Sequence, residues 1–196
     1  EEWYEQSMKE LGKFYGINWV EERPIILILS SRKDIDLVRG VKSEDWVVGF
    51  TDGSKKCLFL LDPKSYEKES SHKYSDEEYS SLISHELSHL FSRILYEGYT
   101  PKWLVEGIAI YSSGQLKLKK KPQEFNKFLE SFNNGESGLY EESGFAVKIL
   151  VENFGKEKFF EFYKSLKEVQ TSEDLSKLFK KFYEAELNYE FFNKYL

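Results

Sequence analysis

The sequence predicts an α+β fold in which a small sheet precedes a mostly helical second half. Strand-like apolar runs lie on both sides of Asp52-Gly53, a strong hairpin signal. From Ser75 onward, apolar residues recur at helical spacing to the end of the chain. Because no internal repeat or linker interrupts the sequence, we expect one domain over 1–196, with a sheet-rich lobe at about 17–75 and a helical lobe at about 76–196.

The first half of the chain predicts one helix and three strands. Residues 1–16 carry spaced aromatic and aliphatic residues among charges and predict an amphipathic helix. Residues 24–30 contain the longest apolar run, which predicts a buried strand. Residues 46–50 and 57–61 predict two further strands, joined by the hairpin.

The second half predicts a series of helices. Ser75 and Glu78 have the spacing of a capping box, so a helix is expected from about Asp76 to Glu97, where Gly98 follows. Pro101 predicts the start of the next helix, which continues through Tyr111. Further helices are expected near 122–133, 140–154, 156–169 and 172–186.

Composition excludes several classes of function. The net charge of −6 and the pI near 5.3 argue against a nucleic-acid partner, and the short basic stretch Lys117–Lys121 predicts a solvated loop. Cys57 is the single cysteine, which excludes an internal disulfide and a cysteine-based zinc cluster. The longest apolar run is too short to span a bilayer, so no transmembrane segment is expected in the chain.

The cellular compartment and the oligomeric state are left open by the sequence. The chain begins at Glu1 rather than at a methionine, which is consistent with removal of a signal peptide, tether or upstream domain. We expect a soluble domain, and an extracytoplasmic location is one option.

Residues 85–89, His-Glu-Leu-Ser-His, carry the most specific chemical signal. On a helix, His85 and His89 lie one turn apart on one face, so both rings can reach one metal ion. Neutral imidazole nitrogens suit zinc, and Glu86 lies beside them as a candidate general base. By composition alone, this pattern arises by chance in about 1% of such chains or fewer. The alternative is that both histidines are ordinary core or surface residues.

The rest of this helix favours the metal interpretation. Ile83, Leu87, Leu90 and Ile94 form an apolar stripe roughly opposite the histidines. Four small residues flank the histidine face: Ser81, Ser84, Ser88 and Ser92. Small side chains leave room for another element or for a substrate, whereas the alternative is that the serines face water.

Glu106 is the candidate third ligand. It is the one acidic residue in the largely apolar segment 101–109, where an unpaired carboxylate is costly to bury. Gly107 in mid-helix indicates close packing or a nearby ligand. Two alternatives stay open: Glu106 is a half-exposed residue of an amphipathic helix, or His72 is the third ligand.

These motifs together resemble the gluzincin zinc peptidases. HELSH is followed by the glutamate of Pro-x-Trp-Leu-x-Glu-Gly-x-Ala at 101–109, and the likeness continues through 140–146 and 151–162 to cover about residues 24–190. The resemblance implies a zincin-like fold with a cleft, one zinc ion per chain held by His85, His89 and Glu106, and a peptide or protein substrate. It also implies that Glu86 takes a proton from the zinc-bound water and that Tyr140 supports the oxyanion.

The resemblance has two departures. The residue four positions after Glu106 is Ile110, where some gluzincins carry an acidic residue. The segment 47–51 lacks the glutamate with which the aminopeptidase branch grips a free amine, so we expect an endopeptidase that contacts substrate backbone along the strand near Val48 or Leu58. The alternatives are a catalytically inactive binding module and a metal-dependent hydrolase of a non-peptide substrate.

Overall fold

The computed structural model describes residues 1–96, 100–129 and 139–196 and has an α+β architecture, as the sequence predicts. The chain divides into two compact units, Glu1–Phe91 and Ser92–Leu196. The division falls inside a helix, whereas the lobes expected from the sequence divide near residue 75. Each unit is described here by itself.

The first unit is built around a three-stranded sheet. Its helices are α1 (Glu2–Tyr15), α2 (Arg32–Arg39) and α3 (Tyr66–Glu69), and its strands are β1 (Ile25–Leu29), β2 (Gly49–Asp52) and β3 (Cys57–Leu61). The strand order is β1-β3-β2, with β1 parallel and β2 antiparallel to β3. The central strand β3 is buried along its whole length.

The strand β1 differs from the expectation of a buried strand. It forms at the predicted place, but it is an edge strand, and Ile25, Leu27 and Ile28 are 54%, 41% and 49% exposed. An apolar run shows that a segment suits a sheet, whereas its burial depends on which elements pack beside it. The strand β2 begins later than predicted, at Gly49, and a turn over 53–56 joins it to β3 as a hairpin, as expected.

The helix α4, Asp76–Leu95, starts in the first unit and ends in the second. Its predicted end at Glu97, with Gly98, lies outside the described residues. The Ser75 hydroxyl accepts a hydrogen bond from the Glu78 amide at 3.1 Å, which is one of the two bonds of the expected capping box. Ile83, Leu87 and Leu90 are buried, but Ile94 is half exposed and does not extend the apolar stripe.

The second unit is helical. It contains α5 (Lys102–Ser112), α6 (Leu139–Phe154), α7 (Lys156–Ser165), α8 (Ser172–Tyr183), α9 (Tyr189–Asn193) and short 3-10 helices at Gln115–Leu118 and Leu166–Glu168. Pro101 precedes α5, as predicted. Aromatic side chains form a large part of the core, among them Trp103, Phe125, Phe128, Phe179 and Phe192.

The prediction of a helix near 122–133 is wrong for the part of that segment that the structure describes. Residues 122–129 are irregular, and 130–133 lie outside the described residues. The buried Glu142 carboxylate accepts hydrogen bonds from the amides of Asn126, Lys127 and Phe128 at 3.0–3.3 Å. This contact satisfies the backbone of the segment without a helix.

Among the described residues, none of the helices combines the length and the apolar character needed to cross a bilayer.

Candidate metal centre

The position of α4 in the first unit is fixed by two hydroxyl pairs to α1. Ser7 Oγ lies 2.6 Å from Ser84 Oγ, and the Tyr15 hydroxyl lies 2.6 Å from Ser88 Oγ. Ser88 is fully buried. Ser84 and Ser88 therefore make room for another element, α1, and since Ser81 and Ser92 are buried as well, the alternative that these serines simply face water is wrong.

His85 and His89 face each other from successive turns of α4. Their Nε2 atoms are 3.1 Å apart, and their rings are nearly perpendicular, at 86°. His85 is buried and His89 is half-buried. At this distance the two nitrogens share either one proton in a hydrogen bond or one cation, since two unprotonated nitrogens repel each other.

Glu106 lies in the middle of α5 and is half-buried. The next residue, Gly107, packs against α6, because a Cβ at this position would lie 2.6 Å from the Ser143 carbonyl oxygen and 2.7 Å from Val147 Cγ2. Of the two explanations for a mid-helix glycine, close packing is therefore the one that applies. The close approach fixes α5 against α6 and so limits where the Glu106 side chain can reach.

The structure brings His85, His89 and Glu106 into one group. One nitrogen of each histidine and one carboxylate oxygen of Glu106 all lie within 4.8 Å of one another. Zinc–nitrogen bonds of about 2.0–2.1 Å at a tetrahedral angle place two nitrogens about 3.3–3.4 Å apart. The histidine pair is close to that separation, and two imidazoles with one carboxylate form a donor set that zinc accepts with a place left open. The three side chains therefore form a group that could hold a metal ion.

Glu86 is directed toward the start of β2. It is only 6% exposed. A Cβ built on Gly49 would lie 3.1 Å from Glu86 Oε1 and 3.2 Å from Glu86 Cγ, so the carboxylate occupies space that the glycine leaves free. Glu86 is thus a buried acid beside the histidine pair and is separate from the three-residue group.

His72, the alternative third ligand, has both ring nitrogens engaged elsewhere. Its Nδ1 lies 3.0 Å from Glu78 Oε1, and its Nε2 lies 3.0 Å from the Trp46 carbonyl oxygen. These contacts tie the loop before α4 to the first turn of that helix. They explain a structural role for His72 and leave Glu106 as the better candidate.

Tyr140 is half-buried in the first turn of α6. Its assignment as an oxyanion donor stays a prediction.

The residue that sequence reasoning missed is Gly49. The available signal was a glycine inside a strand, which commonly marks a close approach by another group. What approaches it, Glu86, is far away along the chain and cannot be named from the sequence.

Comparisons with known proteins identify no relative: no family model, no curated protein and no solved structure matches the chain.

Proposed function

We propose that the protein is a zinc-dependent peptidase with a zincin-like fold of the gluzincin type. In this proposal His85, His89 and Glu106 hold one zinc ion, and Glu86 is the general base. The observation that carries it is the convergence of the three donor side chains within 4.8 Å, on the two helices that bear the peptidase-like motifs. The buried acid Glu86 next to that group adds the one residue that catalysis needs and metal binding does not.

The chain's own residues divide the work of hydrolysis among them. Bound zinc supplies a Lewis acid that polarises a carbonyl and makes a water molecule acidic. Glu86 accepts the proton of the attacking water and then delivers it to the leaving amine. Burial of Glu86 excludes bulk water from this transfer, and the space left by Gly49 lets the carboxylate lie against the face of β2.

The substrate in this proposal is an extended peptide that pairs with the outer edge of β2. The Leu61 amide donates to the Val48 carbonyl, so in this antiparallel register the backbone groups of Gly49 and Thr51 point away from β3. Those groups can pair with a peptide backbone regardless of its sequence. Leu58 lies in the central strand and is fully buried, so the expectation that substrate contacts the backbone near Leu58 is wrong.

Cleavage within chains is expected because the segment 47–51 lacks the glutamate that would grip a free amine. The residues from 47 to 51 carry no carboxylate with which to anchor a free N-terminus. Tyr140 is the proposed donor to the oxyanion that develops on the scissile carbonyl.

Metal analysis combined with peptide digestion tests the proposal. The native protein should contain one zinc per chain and cleave a peptide library, and a chelator should abolish cleavage. Glu86→Gln should keep the zinc and lose most activity, while His89→Ala should lose the zinc. A peptide with a blocked N-terminus should be cleaved as well as the same peptide with a free one.

The outcomes separate the alternatives. Stoichiometric zinc without cleavage of any peptide supports an inactive module, or a hydrolase of another substrate if a broader substrate screen shows turnover. A native protein without stoichiometric metal, or an active Glu86→Gln variant, makes the proposal wrong. Cleavage of the free peptide alone, one residue at a time, shows that an amine anchor exists and that the enzyme is an aminopeptidase.

A further inference from the structure

The outer edge of β1 is an exposed apolar surface that the proposed peptidase site does not use. The two edges of the sheet are β1 and β2, so β1 lies on the far side of β3 from the strand that adjoins Glu86. All five residues of β1 are Ile or Leu, and three of them are between 41% and 54% exposed. Edge strands in monomeric proteins usually carry charges, a proline or a bulge that discourages pairing, and β1 carries none of these between Ile25 and Leu29.

The backbone of β1 offers a regular set of groups along this edge. The Ile25 amide donates to the Lys56 carbonyl, and the Leu29 carbonyl accepts from the Asp62 amide. In a parallel pair, these bonds mean that the amide and carbonyl groups of residues 25, 27 and 29 point toward β3. The amide and carbonyl groups of Ile26 and Ile28 therefore point away from the sheet. A further strand can therefore pair at Ile26 and Ile28 without disturbing a bond already made.

A groove of about 690 Å³ runs beside the same edge. Its lining is mainly apolar and aromatic, and it includes Trp3, Tyr4, Ile26, Ile28, Tyr79 and Ile83. Side chains from an added strand would enter this groove and bury both their own apolar surface and that of β1. Backbone pairing and apolar burial thus coincide in one place.

We propose that this edge binds a second copy of the chain, with the two β1 strands antiparallel about a twofold axis at Leu27. Ile26 of one copy then lies opposite Ile28 of the other, and each such pair exchanges two backbone hydrogen bonds. The five residues of β1 carry no charge, so pairing the strand with itself brings no like charges together within the strand pair. The arrangement is self-complementary, which a twofold interface requires.

The charges that flank β1 select the antiparallel arrangement. Exposed Glu21 precedes the strand and exposed Lys33 follows it, at equal distances along the chain from Leu27. Antiparallel pairing places the segment before β1 of each copy on the same side as the segment after β1 of the other, so the acidic and basic flanks meet, whereas parallel pairing would bring like charges together. This complementarity favours a second copy over an unrelated extended peptide.

The molar mass in solution tests the dimer directly. Sedimentation equilibrium of the native protein between about 1 and 100 μM, a range that resolves Kd values near 10 μM, should give an average mass that rises toward twice the chain mass of 23.2 kDa. Hydrogen exchange should show the amides of Ile26 and Ile28 becoming protected as concentration rises. A monomer throughout this range overturns the proposal, and so does an assembly larger than a dimer.

Two variants of the edge locate the interface. Ile26→Pro removes an amide that β3 does not use, and Ile28→Lys places a charge on each side of the axis. Each should raise Kd at least about 100-fold, because the variant loses a backbone bond or buries an unpaired charge. Leu118→Lys, at a residue 45% exposed in the second unit, is the matched control and should stay dimeric.

Circular dichroism identifies any variant that fails to fold. If Ile26→Pro is unfolded, the Kd for dimerisation of Ile28→Lys alone tests the interface. If the folded edge variants stay dimeric, the interface lies elsewhere. If Leu118→Lys is monomeric, loss of the dimer is not specific to substitutions at the β1 edge. Either result overturns the proposal. Since neither edge residue belongs to the proposed metal group, loss of the dimer and loss of peptidase activity are separate results.

Discussion

Replacing Gly49 with alanine tests whether the start of β2 positions the Glu86 carboxylate. The new Cβ would lie 3.0 Å from Leu60 Cδ2, 3.1 Å from Glu86 Oε1 and 3.2 Å from Glu86 Cγ, where ordinary contacts begin at 3.4 Å. Gly49 is not among the glycines with positive φ, so alanine is not strained by the backbone itself. The effect of the substitution is therefore steric, and the side chains that must move are those of Leu60 and Glu86.

The expected magnitudes follow from how little space these neighbours have. Leu60 is fully buried and Glu86 nearly so, so both must shift by a few tenths of an ångström. Overpacking of this kind costs about 1–3 kcal/mol of stability. Because a displacement of 1 Å can cost about 100-fold in rate, a shift of this size should lower kcat by about 5- to 10-fold. KM should change little, since the backbone groups of residue 49 remain.

The assay compares kcat, KM, zinc content and thermal stability in Gly49→Ala and Gly12→Ala. A Cβ at Gly12 meets the Ile17 carbonyl oxygen at 2.8 Å, so this control is also overpacked in the first unit but has no close contact with Glu86. Both variants should lose stability and keep zinc, and only Gly49→Ala should lose kcat. A native kcat in folded Gly49→Ala, or an equal loss of kcat in Gly12→Ala, would refute the reasoning.

Three further predictions concern the metal, the oxyanion and alkaline pH. Glu106→Ala should raise the Kd for zinc at least about 100-fold in equilibrium dialysis, while His72→Ala should leave it unchanged, since His72 already bonds Glu78 and a carbonyl; the reverse result reassigns the ligand. Tyr140→Phe should lower kcat by about 10- to 100-fold and raise KM less; an unchanged kcat removes Tyr140 from the mechanism. Burial raises the pKa of Tyr66 and the pKa of Tyr79 above the usual range. The unfolded chain therefore releases these protons first, and the free energy of unfolding should fall above about pH 10, by up to about 1.4 kcal/mol per pH unit for each tyrosine. Urea unfolding between pH 9 and 11 measures this slope, which should be shallower in Tyr66→Phe; an equal slope contradicts the assignment.

The elements that the sequence predicts well are those with local causes. The amphipathic pattern of residues 1–16 becomes α1, the Ser75 cap begins α4, and Pro101 precedes α5. In each case the signal and the structure it specifies lie within one or two turns of chain. Such elements need no knowledge of tertiary contacts.

The predictions that fail depend on contacts distant in sequence. The strand β1 is exposed because no strand pairs with its outer edge within the described sheet, which a run of five apolar residues cannot reveal. Residues 126–128 give their amides to Glu142 instead of to a helix, and that partner lies in another helix. Local propensity is overridden wherever a buried polar group offers better partners.

The candidate site shows the same division between local and distant causes. The spacing of His85 and His89 specifies that two rings share one face of a helix, but not which way that face points. In the structure, Ser84 and Ser88, each the residue before one of these histidines, bond to α1 one turn apart. Two such contacts on one side of α4 oppose rotation of the helix about its axis. The direction in which the histidines point therefore depends on Ser84 and Ser88, which are not among the proposed metal ligands. The serines are therefore positioning residues for the proposed donor pair, a role visible only once α1 is in place.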